Sequence, residues 1–188
     1  YEVPLNFHNQ GLDDRIVEML NIWTRQPDLK SWENLNKKMN HPESEMTLGV
    51  VGKYMTLKES YKSLNEAMIH AGYANRCKVN IRYIDPASLE TGESIEKVFN
   101  KVQALIVPGG FGERGTEGKM LSIRYARENK IPFLGICLGM QLACVEFARN
   151  VMGLKEAHSQ EFDENHKNAV IHYMSGQAAD IQKGGTMR

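Results

Sequence analysis

One stretch constrains this chain more than any other: Ile131 to Gln141, Ile-Pro-Phe-Leu-Gly-Ile-Cys-Leu-Gly-Met-Gln. The apolar run Pro132 to Ile136 predicts a buried strand, followed by a sharp turn at Cys137 and then directly by a helix. Gly135 and Gly139 flank the cysteine as Gly-x-Cys-x-Gly, the thiol counterpart of the Gly-x-Ser-x-Gly nucleophile elbow. A nucleophile on a tight strand-to-helix turn needs neighbours without side chains, so that the backbone can bend and a substrate can approach. The following helix aims its free N–H groups and positive dipole end at the sulfur, which favours thiolate over thiol. A lone cysteine in a strand is more simply a small buried core residue. The paired glycines and the strand-helix junction favour the nucleophile.

The rest of the chain supplies a frame for this turn. Tyr1 to Asn9 reads as a short extended piece, and Gly11 introduces a helix with Asp13 and Asp14 in its first turn. Leu12, Ile16, Met19 or Leu20, and Trp23 form its apolar stripe. Thr24 to Glu45 is polar, broken by Pro27 and Pro42, and reads mainly as a connector in which Trp32 and Leu35 could anchor a short helix. Met46 to Gly52 suits a central parallel strand. Leu57, Tyr61, Leu64, Met68 and Ala71 recur at helical spacing, with Gly72 as the stop. Val79 to Ile84 alternates like a strand, and Ile95 to Val102 is a short helix. Ala104 to Val107 is a buried strand broken by Pro108-Gly109-Gly110, and Glu117 to Asn129 is a helix. The helix after Cys137 carries Leu138, Met140, Leu142, Ala143, Val145, Phe147 and Ala148, a pattern that predicts burial on nearly all sides. Val170 to Met174 reads as one more strand.

Alternating strands and helices predict an α/β fold with an open, mostly parallel sheet and right-handed crossovers. Ligands in such sheets bind at the C-terminal strand ends. Two of those ends are chemically special, the Pro108-Gly109-Gly110 turn and the Cys137 elbow, and both should open onto one crevice. A thiolate attacking an acyl carbon needs an oxyanion hole. The Leu138 N–H is one donor for it, and the turn at Gly109 and Gly110 can supply the other. Gln141, one helical turn beyond Cys137, is in reach of a bound amide or carboxylate.

Composition narrows the partners. The chain has 188 residues with 23 basic and 23 acidic side chains, a formal net charge of zero. No basic stretch suggests nucleic acid, and no apolar run is long enough for a bilayer. Three cysteines, Cys77, Cys137 and Cys144, are odd in number and lack metal-ligand spacing, which fits a reducing compartment. Cys77 and Cys144 read as inert thiols, and the acidic residues show no metal-ligand cluster. A thiol nucleophile also wants a histidine base and an orienting acid. His158, His166 and His172 follow the elbow without a convincing acidic partner, and His41-Pro42-Glu43 lies in the polar connector, where nothing holds it at the crevice. The chain starts without methionine and ends on Arg188, the pattern expected of an excerpt.

Longer strings carry a resemblance. Pro108-Gly-Gly-Phe-Gly112 with Gly135-Ile-Cys-Leu-Gly-Met-Gln141 resembles the class I, triad-type glutamine amidotransferases. Gly112-Glu-Arg-Gly-Thr-Glu-Gly-Lys119, Tyr125-Ala-Arg-Glu-Asn129, Glu146-Phe-Ala-Arg-Asn-Val151, Lys183-Gly-Gly-Thr-Met-Arg188 and Val51-Gly-Lys-Tyr54 narrow it to the CTP synthase family. Tyr1-Glu-Val-Pro-Leu5 and Gln10-Gly-Leu-Asp-Asp14 resemble the end of that family's synthetase (amidoligase) domain. The resemblance implies a flavodoxin-like sheet with helices on both faces, the class I glutaminase fold, with its C-terminal part missing. It divides the chain into 1–23, the end of the synthetase domain, 24–45, a linker, and 46–188, an incomplete amidotransferase domain.

By position, the resemblance makes Cys137 the nucleophile that takes the glutamine acyl group and releases ammonia, with Gly110 and Leu138 as the oxyanion hole. Gly110, Phe111, Leu138, Gly139, Met140, Gln141 and Glu161 would hold glutamine, Glu161 receiving its α-amino group. Arg114, Gly115 and Glu117 match a lid loop linked to activation by GTP. No cofactor or metal is implied within the chain. ATP and Mg2+ would act on UTP in the synthetase domain, which would also build a cytoplasmic homotetramer, without nucleic acid or membrane. The family's histidine, glutamate and a glutamine-binding arginine follow the Gly-Gly-Thr-Met-Arg string, so residues 1–188 alone are expected to form a thioester poorly or not at all. Position 160 is Gln where the family string has Thr. Two other readings stay open. One is a glutaminase serving GMP or carbamoyl phosphate synthesis, which Tyr1 to Asp14 and Gly184 to Arg188 disfavour. The other is a noncatalytic flavodoxin-like module with Cys137 as a redox sensor or part of an interaction surface.

Overall fold

The computed structural model describes residues 1–52, 61–110 and 112–173. Phe111, the N-terminal part of the helix expected from Leu57, Met174 and the Lys183 to Arg188 string lie outside the described residues. The chain forms two compact units, Tyr1–Met46 with Ser63–Val79, and Thr47–Lys62 with Asn80–Arg188.

The first unit holds α1 (Val3–Asn9), α2 (Leu12–Leu20), α3 (Lys30–Asn40) and α4 (Lys62–Ala74). Tyr1 to Asn9 was expected to be extended, yet Val3 to Asn9 is helical. Pro4 sits in its first turn, where a fixed φ and a missing N–H cost nothing. Gly11 takes the left-handed conformation (φ 71°) that turns the chain into α2. The connector contains more order than its polarity implies, because α3 spans eleven residues. Asn36 is its buried residue, donating to the Trp32 and Tyr1 carbonyls at 3.0 and 3.3 Å. Tyr1 packs edge-on against His70 and Tyr73 and donates to Glu66 at 2.6 Å, and that hydrogen bond pushes its phenol up to about 12. Gly72 does not stop α4. It is a buried position inside the helix, where a Cβ would lie 2.5 Å from the Cys77 carbonyl oxygen. Trp23 lies beyond the end of α2, and the α2 stripe from Leu12 to Leu20 is exposed among the described residues.

The strands β1 (Ser44–Val51) and β2 (Cys77–Ile84) begin in the first unit and end in the second. With β3 (Ala104–Val107) and β4 (Phe133–Gly135) they form a sheet in the order β2-β1-β3-β4. β3 runs parallel to β1 and to β4, with Val50 opposite Ile106 and Val107 opposite Gly135. The connections are α5 (Pro86–Glu90), α6 (Ile95–Val98) and α7 (Thr116–Glu128), and α8 (Leu138–Asn150) leaves β4. A parallel neighbour requires such a crossover, which is why the period-2 and period-3.6 patterns alternate along the sequence. A small parallel pair, β5 (His158–Ser159) and β6 (Ala169–Ile171), completes the described chain. α5 has no counterpart among the elements expected from the sequence, and the helix expected over Ile95 to Val102 ends at Val98.

The core lies where the strands meet α7 and α8: Val51, Leu105 and Val107 against Met120, Ile123, Leu138, Leu142 and Val145. Each such side chain contributes about 1.5–3 kcal/mol by leaving water. A largely buried ion pair fastens α7 to α8. Arg127 Nε and Nη2 donate to both oxygens of Glu146, at 2.7 to 3.2 Å, and Glu146 is 1% exposed. That partner raises the Arg127 guanidinium further above its usual range. The helix predicted to be buried all round is not. Met140, Cys144, Phe147 and Val151, spaced along one face, are exposed among the described residues.

Candidate active site

The sheet register brings the two special strand ends together. Val107 pairs with Gly135, and the ladder runs one step further through the Ile136 N–H to the Val107 carbonyl at 2.9 Å. The chain then turns at Cys137 with φ 51° and ψ −110°. The positive φ with negative ψ lies outside the left-handed helical basin, a conformation that costs about 1–3 kcal/mol for a residue with a side chain. Surrounding bonds hold it. The Cys137 carbonyl accepts from the N–H groups of Met140 and Gln141 at 3.0 and 3.1 Å, and the Gly139 N–H donates to Ile136 at 2.9 Å. The Leu138 N–H, by contrast, donates to no backbone acceptor preceding the helix among the described residues.

Both flanking glycines are required by contact, not by φ. A Cβ on Gly139 would stand 2.0 Å from the Val107 carbonyl oxygen. On Gly135 it would stand 2.6 Å from the Gly139 carbonyl and the Met140 nitrogen. The first turn of α8 therefore lies directly on the backbone of β3 and β4. Cys137 is left on the rim, exposed to solvent.

Gly110 and Leu138 meet behind this turn. A Cβ on Gly110 would lie 3.8 Å from Leu138 Cδ2 and 3.6 Å from Lys119 Nζ, while Leu138 is 1% exposed. Gln141 is half-buried, and its Oε1 is buried without a hydrogen-bond partner among the described residues. A buried acceptor left open costs free energy unless a ligand completes it. Met140, the other expected contact on this turn, is 56% exposed.

The remaining predicted residues sit apart. Glu161 lies half-buried on the turn after β5, its N–H donating to Ser159 Oγ at 3.2 Å. Gln160, which departs from the family string, accepts from the Tyr173 N–H at 2.9 Å and so ties that turn to the chain after β6. Gly115 is the left-handed residue (φ 79°) from which α7 starts, and Arg114 before it is exposed. Glu117 pairs with Arg149 of α8 at 3.0 Å, not with Arg114. Arg149 also donates to the Ala157 carbonyl at 2.7 Å, linking α7, α8 and the approach to β5. His158 and His166 meet edge-on, 4.8 Å between ring centres, and among the described residues neither hydrogen-bonds to Cys137. No group of three or more His, Cys, Asp or Glu among the described residues could hold a metal ion.

Sequence reasoning missed what fixes the start of α7. Gly118 touches α5 so closely that a Cβ would fall 2.0 Å from the Pro86 carbonyl oxygen, and its N–H donates to Glu90 at 2.9 Å. Lys119 follows, 1% exposed and the largest of the fully buried side chains. Its signal was the spacing with Ser122 and Ala126, both fully buried, which puts a lysine on the inward face of the helix.

Comparison with known proteins then decides the family. The model of the family "Glutamine amidotransferase class-I" matches residues 56–183. The chain belongs to the class-I glutamine amidotransferases. Over its whole length it is 52% identical to a protein of Syntrophus aciditrophicus and 54% identical to one of Geobacter metallireducens, each named CTP synthase. It spans 35% of the length of either. A solved structure, the glutaminase domain of Trypanosoma brucei CTPS with bound acivicin, superposes with a TM-score of 0.64 at 33% identity. That match covers 72% of this chain and 52% of the other. The parallel sheet, expected from the strand-helix alternation, is thus the class I glutaminase fold that the family resemblance implied. Among the described residues no helix is long and apolar enough to cross a membrane.

Proposed function

We propose that this chain is the glutamine-hydrolysing portion of a CTP synthase. Residues 1–23 would close the synthetase domain, 24–45 would link it, and 46–188 would belong to the amidotransferase domain. The observation that carries the reading is the strained Cys137 turn, packed by Gly135 and Gly139 against β3, with Gly110 and Leu138 behind it.

The thiolate of Cys137 adds to the side-chain carbonyl carbon of glutamine, and the carbonyl electron pair moves to oxygen. The N–H groups of Leu138 and Gly110 receive that oxyanion. Protonation of the nitrogen and collapse of the adduct expel ammonia and leave a thioester, which water hydrolyses to glutamate. The open Gln141 acceptor supports substrate contact at this turn. Phe111, Gly139, Met140 and Glu161 complete the glutamine site, Glu161 matching the α-amino charge, and Arg114, Gly115 and Glu117 form the lid that GTP engages. The base that takes the thiol proton is assigned to the part of such an enzyme that residues 1–188 do not span. In the whole enzyme ammonia passes to a synthetase site that makes CTP from UTP with ATP and Mg2+, in a cytoplasmic homotetramer.

The test is Cys137→Ser in the full-length parent. Glutamine hydrolysis and glutamine-dependent CTP formation should vanish, while CTP formation from added ammonia stays. Undiminished glutaminase activity would sink the assignment.

A further inference from the structure

Lys119 is a buried amine that no step above uses. Taking an ammonium out of water is costly, so a fully buried lysine signals that the fold has a use for its charge or its hydrogen bonds. Its position is fixed from three sides. The left-handed Gly115 starts α7, the Lys119 N–H donates to the Gly115 carbonyl at 3.1 Å, and Gly118 is wedged on Pro86. This leaves Lys119 buried with Nζ beside Gly110 at the end of β3. The point where a Gly110 Cβ would sit is 3.6 Å from Lys119 Nζ and 3.8 Å from Leu138 Cδ2. The amine therefore lies beside Gly110, one of the two residues proposed to donate to the oxyanion, and the Leu138 side chain borders the same point. Neither contact is a clash, so Gly110 is not a glycine for want of room or for positive φ. Its bare side leaves the turn open to the charge behind it.

We propose that Lys119 is a positioning residue for thioester formation: its buried amine holds the Gly109–Gly110 turn against the start of α8 and adds positive charge behind the developing oxyanion. The inference rests on Cys137 being the nucleophile. Lys119 exchanges no proton in the step as proposed. The bond made is sulfur to carbon, the bond broken is carbon to nitrogen, and the charge on oxygen grows and disappears in front of a fixed cation. A charge acting only in the adduct lowers kcat when removed and leaves substrate binding alone.

The test compares Lys119→Met, Lys119→Gln and Lys119→Arg in the full-length parent. The readouts are glutamine kcat and KM, inhibition by L-glutamate γ-semialdehyde, and ammonia-dependent CTP formation. The semialdehyde adds to the thiol as a tetrahedral adduct bearing the same oxygen. A direct oxyanion donor is worth about 10²–10³ in kcat, so a charge one layer behind it should be worth roughly 10–100-fold. Lys119→Met should lose that factor with KM within about twofold. Semialdehyde affinity should fall in step with kcat/KM, and ammonia-dependent synthesis should persist. Lys119→Arg should recover part of the loss, and Lys119→Gln should not. If Lys119→Met does not fold, the Gln and Arg pair carries the comparison. An unchanged kcat in Lys119→Gln overturns the proposal, as does equal loss in Gln and Arg variants, or a parallel fall in ammonia-dependent synthesis. A wild-type parent that hydrolyses no glutamine would instead refute the functional reading itself.

Discussion

Gly139→Ala sets two physical effects against each other. Helix propensity alone favours the substitution, because Ala is about 1 kcal/mol better than Gly in a helix interior. The structure opposes it. The new Cβ would sit 2.0 Å from the Val107 carbonyl oxygen and 2.8 Å from its carbon, where ordinary contact begins at 3.4 Å. The shortfall of about 1.4 Å lies between two backbones, so no rotamer can relieve it. Either α8 lifts from β3 or β3 distorts, and overpacking of this kind costs about 1–3 kcal/mol or more. Only a fraction of the propensity gain applies at the second helical position, so we expect a net loss of about 2–3 kcal/mol. Function should suffer more than stability, because a displacement near 1 Å at a reacting group costs about 10²-fold in rate. Urea denaturation of the full-length parent, followed through the glutaminase domain, measures the first quantity, and glutamine hydrolysis measures the second. Gly153→Ala serves as the reference. That glycine has φ 75° and no atom within 4 Å of its built Cβ, so it should cost about 1 kcal/mol and leave hydrolysis unchanged. A Gly139→Ala enzyme with wild-type stability and rate would refute the close-approach argument.

Other consequences are more local. Arg127→Met leaves the buried Glu146 carboxylate with Asn150 as its one remaining side-chain donor among the described residues, so stability should drop by about 3 kcal/mol. A double-mutant cycle with Glu146→Gln should return most of that loss, and simple additivity would count against the pair. His8 and Asp13 meet at 2.6 Å, which raises the imidazole pKa and lowers the carboxyl. The His8 share of stability is complete below its unfolded pKa and fades as pH rises through its elevated folded value. The Asp13 share is present above its unfolded pKa and fades as pH falls through its depressed one. The contact between α1 and α2 should thus be firmest between those two limits, and NMR titration should find His8 above the usual histidine range and restored by Asp13→Asn. Cys144 is exposed, so a neutral maleimide should modify it in the folded protein along with Cys137. Mass mapping that finds Cys144 protected would contradict its placement.

The elbow was legible because local geometry leaves it few solutions. Gly-x-Cys-x-Gly between an apolar run and a helix can fold as a strained turn, and β4, Cys137 and α8 follow in that order. β1, β3, α7 and the parallel pairing were equally readable from period and length. The misjudged elements are those whose patterns depend on neighbours. Gly72 looked like a helix stop, but it is a glycine because Cys77 and Val79 pass close to α4. The face of α8 bearing Met140, Cys144 and Phe147 looked like core and is exposed among the described residues, because apolar periodicity records which faces are oily and not what covers them.

By itself, then, the sequence determined the alternation of strands and helices, the sharp turn at Cys137 and the family strings, since each depends on residues near one another in the chain. Tertiary structure decided why the glycines are glycines and where Lys119 lies. It placed Gly118 on Pro86, Gly139 on Val107, and the lysine beside Gly110. The first two are contacts between backbones 32 residues apart and the third brings a side chain back onto a turn nine residues earlier, and only packing fixes them.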